Sequence, residues 1–244
     1  MSDKKIVKPY ENEGSSKKEE VATMFNQIAH SYDFLNHFFS VGIDKLWRRK
    51  VIRILSKYHP KQILDVATGT GDLALALLKL KPQKVIGVDI SEGMLNLGKE
   101  KVAKANESDR VELQVGDSEN LNFKDNSFDA VTVAFGVRNY ENLSQGLKEM
   151  HRVLKPDAPL VVLEFSKPEN RFFRKIYFFY FQNVLPSIGK LVSKDARAYS
   201  YLPESVNAFP EREEFVNLLK KAGFKTVRCT PLTFGISSIY EAVK

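Results

Sequence analysis

Asp65, Gly69, Gly71, Asp72, Asp89, Asp117 and Arg138 are the residues whose types and spacing suggest chemistry. The first four fall in "ILDVATGTGDLAL" (63–75), where an apolar run meets an acid, two glycines and a second acid before leucines resume. Gly69 and Gly71 carry no Cβ, so the backbone can approach a ligand closely and adopt left-handed φ values. Gly69, Gly71 and Ala74 satisfy the spacing G-x-G-x-x-G/A, and Asp89 ends the next apolar run 20 positions after Gly69. An acid at that point accepts hydrogen bonds from both hydroxyls of a ribose, so the pocket calls for an adenosine-like nucleoside.

The acids of the loop choose between nucleosides. A dinucleotide rests its pyrophosphate on the helix N-terminus, where Asp72 repels it. S-adenosylmethionine has no phosphate, and its sulfonium and α-ammonium suit Asp65 and Asp72. Asp117 or Ser118, in "VGDSENLNF", can meet the adenine edge. The expected cofactor is therefore S-adenosylmethionine, held by Asp65, Gly69, Thr70, Gly71, Asp72, Asp89, Asp117 and Ser118, with no metal.

The elements that must position these residues are legible in the periodicity. "QILDVA", "KVIGVDI", "RVELQV", "FDAVTVAF" and "PLVVLEF" read as strands. "DLALALLKL", "SEGMLNLGKEKVAKA" and "NLSQGLKEMHRVL" read as the helices between them. Near-continuous apolar strands alternating with helices predict an α/β, doubly wound, mostly parallel sheet. "FKTVRCTPLTFGISSIYEAV" adds two strand-like runs around "PLTFG", an antiparallel C-terminal addition. Upstream, Val21, Phe25 and Ile28, then Ile43, Trp47, Val51, Ile54 and Leu55, fall at helical spacing. The expected organisation is a flexible polar arm (1–17) and a single domain (18–244). Within that domain, 18–58 form a helical cap on the substrate side and 169–210 a substrate or lid insertion.

Bulk properties narrow the function classes. The 244 residues are 43% apolar and 27% charged, as in an ordinary globular chain. The single cysteine, Cys229, permits no internal disulfide and suits a reducing compartment. The charged start "MSDKKIVKPYENEGSSKKEE" has no signal-peptide core, and no stretch offers the roughly 18 apolar residues of a transmembrane helix. A cytoplasmic protein is expected, working at the inner face of the membrane if it meets lipid. The net charge is +7 and the pI near 9.3, yet the lysines are scattered, so charge by itself names no partner.

Several stretches carry a resemblance. "ILDVATGTGD", "GVDISEGML", "VGDSENLNFKDNSFDAVTVAFGVRN" and "EMHRVLKP" resemble the motifs of class I S-adenosylmethionine-dependent methyltransferases. "YDFLNHFFSVGIDKLW" (32–47) resembles the N-terminal signature of the ubiquinone/menaquinone biosynthesis C-methyltransferase family, and "RVLKPDAPLVVLEFSKP" (152–168) its second signature. "FYFQNVLPSIGKLVSKDARAYSYLPESVNAFP" (179–210) is similar to that family's region after the fifth strand. The sequence departs at Asp157-Ala158, where the family usually has Gly-Gly, and at Ala67-Thr68-Gly69, where Ala-Gly-Gly is common.

The resemblance implies methylation of a ring carbon in a polyprenyl quinol. Such a carbon is a poor nucleophile until a neighbouring hydroxyl, with a pKa near 10 like tyrosine's, loses its proton. Candidates for that task follow the fourth strand, in "AFGVRNY". Arg138 stays charged and offers several donors for a phenolate. Tyr32, Asp33, Asn36 and Asn139 would complete the polar wall, and His37 is the least unfavourable histidine for a base. The aromatic run "FFRKIYFFYFQNVLP" (172–186) suits an isoprenoid groove or a membrane surface, with Arg171, Arg174 and Lys175 near lipid phosphates. "FGISSIYEAVK" and "TVAFGVRN" lean the substrate towards demethylmenaquinol over a ubiquinone-pathway benzoquinol. An RNA methyltransferase and a non-catalytic adenosyl-binding protein are the alternatives from other classes. The former lacks both an Asn/Asp-Pro-Pro-aromatic element and a cysteine near the site, so no nucleic-acid partner is expected. A homo-oligomer is left open.

Overall fold

The computed structural model describes residues 7–39, 42–170, 173–175 and 196–244, with the backbone alone for 33–39, 196 and 199. The strands are β1 (Gln62–Val66), β2 (Lys84–Asp89), β3 (Val111–Val115), β4 (Ala130–Ala134), β5 (Pro159–Phe165), β6 (Thr226–Leu232) and β7 (Ser237–Val243). They form one sheet in the order β3-β2-β1-β4-β5-β7-β6. Strands β1 to β5 pair in parallel, and β7 runs antiparallel to both β5 and β6. The link from β6 to β7 is too short for a crossover, so these two strands can only form a hairpin.

The helices are α1 (Lys17–Phe39), α2 (Ile43–Leu55), α3 (Asp72–Leu77), α4 (Glu92–Lys104), α5 (Leu143–Val153), α6 (Ala196–Ala208) and α7 (Glu213–Lys221). Alternate strand residues face opposite layers. Leu64, Val133 and Leu160 pack with Leu147 and Met150 of α5 and Phe215 of α7. Ile63, Val85 and Val161 pack with Trp47 and Val51 of α2, Leu77 of α3 and Leu95 of α4. Burial on both faces is why the strands are apolar without polar alternation. The starts of α4 and α5 follow side-chain caps the sequence already carried. Ser91 Oγ accepts from the Met94 N–H at 3.2 Å, and Asn142 Oδ1 accepts from the Gln145 N–H at 3.1 Å.

Helix α1 lies across the carboxyl-terminal edge of the sheet and is latched at several points. Asn26 Oδ1 accepts from Ser91 Oγ (2.7 Å) and from the Gly93 N–H (2.8 Å), which ties the middle of α1 to the start of α4. Its apolar side, Val21, Met24 and Ile28, meets Ala198 and Tyr201 of α6. Residues 7–16, read from the sequence as part of a loose arm, are tied down. The buried Glu20 carboxylate accepts the backbone N–H groups of Tyr10, Glu11 and Asn12 at 2.6–2.9 Å. Composition hid this, because a polar segment held by backbone donors looks the same as a free one.

No helix among the described residues is long and apolar enough to cross a membrane. Most of 172–186 lies outside the described residues, with only 173–175 helical inside them.

The Asn26 latch makes a testable link between packing and site. Asn26→Ala strands a buried hydroxyl and an N–H, so it should cost about 1–2 kcal/mol of stability. Urea unfolding that gives the wild-type midpoint and slope would show that α1 is held elsewhere.

Candidate functional site

Strands β1 and β4 are neighbours whose following connections diverge to opposite sides, the position where open α/β sheets bind ligands. The backbone is bent hard at both strand ends. Ala67 (φ 53°) and Phe135 (φ 59°) are left-handed despite their side chains, and Gly69 (57°) and Gly71 (77°) follow in the same region. Non-glycine residues held this way cost about 1–3 kcal/mol each and cluster at functional sites. Gly69 faces the cleft, where an added Cβ would come 3.8 Å from the Met94 methyl. Gly71 faces away. Its missing Cβ makes room for Leu113 (3.3 Å), and its N–H closes the turn onto Thr68 O (3.0 Å). The two glycines therefore divide the work: one bares the cleft wall, and the other lets α3 start.

Below α1 an open cleft of about 660 Å³ is lined by Gly69, Asp89, Asp117, Ser118, Asn139 and Tyr32, among others. A second recess of about 400 Å³ continues past Tyr32 and Phe135 to Asp65, Thr70, Asp72 and Arg48. Most of the residues expected from the sequence are thus brought to one continuous groove. Asp33, Asn36 and His37 have side chains outside the described residues.

Asp89 ends β2 with its oxygens held in place: Oδ2 accepts from the Gly69 N–H (2.8 Å) and Oδ1 from the Ser91 N–H (2.9 Å). Each oxygen keeps a further lone pair for a ribose hydroxyl. Burial raises its pKa, opposed by those backbone donors. Asp65 is more enclosed. Thr132 Oγ1 on the adjacent strand and Thr68 Oγ1 donate to it at 2.6 Å each, and burial pushes its pKa up to about 6. Its cross-strand register with Thr132 explains the contact.

The remaining acids are less free than the sequence suggested. Asp72 is ion-paired with Lys101 (2.7 Å) and, at 3.4 Å, with Arg48. Asp117 Oδ2 is paired with Lys18 at 2.6 Å. The guanidinium of Arg138, expected to face the acceptor, is buried against Glu164: Nη1 donates to Oε1 at 2.9 Å and also to the Phe135 carbonyl. It also lies over the Phe165 ring at 5.5 Å. Its Nε–H has no hydrogen-bond partner, nor does Asn139 Oδ1 on the cleft wall. Burial raises the pKa of Glu164, and Arg138 opposes the rise.

Sequence reasoning missed Arg48, Glu164 and Lys17. Glu164 left a signal, an acid inside the apolar "PLVVLEF", and Arg48 left a weaker one, four residues after Asp44, with which it pairs at 2.6 Å. Lys17 left none. Its Nζ donates to the carbonyls of Arg138 (3.1 Å) and Tyr140 (2.9 Å), and burial, with Arg138 nearby, pulls its pKa down to about 8.

Comparison with known proteins decides the class. Residues 13–244 match the ubiE/COQ5 methyltransferase family. The chain belongs to that family. It is 50% identical over 239 residues to a protein of Bacteroides fragilis named demethylmenaquinone methyltransferase, covering 98% of this chain and 97% of that one. It is 47% identical to the ubiquinone/menaquinone biosynthesis C-methyltransferase UbiE of Geobacter sulfurreducens, covering 94% and 90%. The fold is also that of a SAM-dependent methyltransferase from Aquifex aeolicus, with TM-score 0.57, 23% identity and coverage of 78% and 87%. A Haemonchus contortus phosphoethanolamine N-methyltransferase 2 in complex with S-adenosyl-L-methionine aligns at TM-score 0.59 and 19% identity, covering 87% and 59%. The protein is thus an S-adenosylmethionine-dependent methyltransferase, as the acids of the glycine loop led one to expect.

Two outcomes test the groove. Asp89→Ala should weaken S-adenosylmethionine binding by about 1–3 kcal/mol in calorimetry, because donors of the ribose lose their charged acceptor; an unchanged affinity removes Asp89 from the site. Asp65 should leave a pH signature. Its folded pKa, about 6, lies above the ordinary 3.8, so the folded state holds the proton more tightly. The stability this contributes is complete below pH 4 and is lost as pH rises through 6, on the order of 3 kcal/mol. Asp65→Asn, which cannot titrate, should lack that decline. Parallel stability curves for the two proteins between pH 4 and 7 would contradict the assignment.

Proposed function

We propose that the protein methylates a ring carbon of demethylmenaquinol, using the groove beneath α1 for S-adenosylmethionine. The observation that carries this reading is the match, across 98% of the chain, to a demethylmenaquinone methyltransferase. The geometry supports it: Phe25, Tyr32, Phe135 and Tyr140 line the cleft beneath α1. Flat aromatic walls suit a fused ring better than a charged substrate.

When bound, S-adenosylmethionine would supply a methyl group on a cationic sulfur to the acceptor carbon. In this reading Asp89 holds the ribose, and Asp117 and Ser118 lie at the adenine end. Asp65 faces the amino-acid end, and Arg48, held by Asp44 and Asp72, lines the same recess. Gly69 and Thr70 shape the backbone between them, Gly71 starts α3, and Asp72 acts through its ion pairs. Tyr32, which lines both recesses, lies where the two reactants meet. The N-terminal helices (18–58) then serve as the substrate-side cap, and the contribution of 169–210 to the substrate side belongs to the same proposal.

For the acceptor, Asn139 Oδ1 can take a hydrogen bond from the quinol hydroxyl. Arg138 brings the positive charge that stabilises the ring oxygen as its proton passes to water in the open cleft, its orientation fixed by Glu164. A single donor aimed at developing negative charge contributes about 10²–10³-fold to turnover. Arg138→Ala also leaves Glu164 buried without its cation, at a cost of about 3–5 kcal/mol. Arg138→Lys is the cleaner variant: it keeps the charge and loses the planar fork and Nε. It should stay folded and bind S-adenosylmethionine normally while turnover falls on the order of 10²-fold, with the deficit narrowing as pH rises and the quinol ionises unaided. Turnover within a few fold of wild type at pH 7 and saturating quinol would leave Arg138 a structural ion pair.

Transfer of labelled methyl from S-adenosylmethionine to demethylmenaquinol tests the function directly. Faster methylation of a benzoquinol, or of RNA, would replace this reading.

A further inference from the structure

One face of the molecule is used by neither the groove nor the core. Along the outside of α2, Lys45, Arg49, Lys50 and Arg53 are exposed and make no ion pair among the described residues. The helix has one acid, Asp44, which is buried and taken up by Arg48. Leu46, 56% exposed, lies on the same face. At the end of α2 nearest the groove, Trp47 Nε1–H donates to Thr233 Oγ1 (2.8 Å), so the turn 233–235 abuts the start of this helix.

That turn is unusual. Thr233 (φ 44°), Phe234 (56°) and Gly235 (87°) are all left-handed, and Phe234 is 67% exposed. Holding two side-chain-bearing residues in that region is unfavourable, and here it projects an aromatic ring into solvent. Phe234 stacks on Phe173 at 4.3 Å and 10°, and the next two residues, Arg174 and Lys175, are exposed cations. The neighbouring acid, Glu169, is ion-paired with Arg212.

We propose that the outer face of α2 and the 233–235 turn together dock the protein on an anionic lipid bilayer. The acid beside Lys45 and Arg49, Asp72, is already ion-paired with Lys101 and Arg48, so the face keeps a positive excess complementary to phosphate headgroups, and Leu46 and Phe234 supply apolar tips that reach the acyl boundary. Phe135, which packs against Trp47, lines the groove, so docking here brings the mouth of the site to the lipid surface. A nucleic acid is the weaker fit, because the exposed Leu46 offers neither a charge to a phosphate backbone nor a ring on which a base could stack. The inference rests on the quinol reading only for its purpose, since a prenylated substrate resides in the bilayer.

Sedimentation with vesicles, without cofactor or quinol, tests it. The full-length protein should bind phosphatidylglycerol/phosphatidylcholine vesicles at least tenfold more tightly than phosphatidylcholine alone, and salt should weaken the binding. Each cation near such a surface contributes about fivefold, so Lys45→Gln/Arg49→Gln/Arg53→Gln should lose on the order of 100-fold. Arg53→Gln alone should lose about fivefold if the triple variant does not fold, and Phe234→Ser should lose several-fold with charge unchanged. Equal binding by variants and wild type, equal binding to neutral vesicles, or tighter binding to single-stranded RNA lost in the same variants would overturn the proposal. Methylation of a short-tailed quinol without vesicles separates the two readings. The triple variant should retain it, and its absence in the wild type, with vesicle binding intact, refutes the substrate and leaves the surface standing.

Discussion

Three carboxylates buried near the carboxyl ends of β1, β2 and β5 govern how the working edge of this sheet is built. A buried ionised carboxylate is costly unless donors surround it. Asp65 receives two threonine hydroxyls, Asp89 two backbone N–H groups, and Glu164 the guanidinium and the backbone N–H of Arg138. Satisfying Asp89 fixes where the glycine loop begins, and satisfying Glu164 fixes the turn after β4. The groove is the space those requirements leave between them.

Helix α1 completes that space rather than merely covering it. Lys17 reaches the carbonyls after β4, Lys18 pairs with Asp117 after β3, and Asn26 holds the start of α4 after β2. One helix thus ties together three connections that share no sequence neighbourhood. Order in α1 and order in the groove are coupled, so changes remote from the acids can reach cofactor affinity through this helix.

Much of the architecture was legible because local signals agreed with one another. The strands and helices from residue 62 to 165 differ from the sequence reading by one to three residues, the largest difference at the end of α3, where the last turn read as helix tightens into a 3-10 turn (Leu78–Leu80), and Ser91 and Asn142 act as caps. Gly69 and Asp89 stood out because a bare backbone and a strand-end acid have few uses in an α/β fold. The N-terminal segment was harder. Residues 7–16 owe their order to Glu20, and nothing in their own composition signals it.

The sequence by itself determined the fold class, the cofactor and the family resemblance, since these follow from periodicity, glycine placement and motifs that lie contiguous in the chain. Only the tertiary structure decided what each charged group is paired with. Asp72 and Lys101, Asp117 and Lys18, and Arg138 and Glu164 lie 26 to 99 residues apart. An acid reads identically in sequence whether it is free or already neutralised. Its freedom is set by which cation the fold brings within about 3 Å, and that distance exists only once the strands are in order.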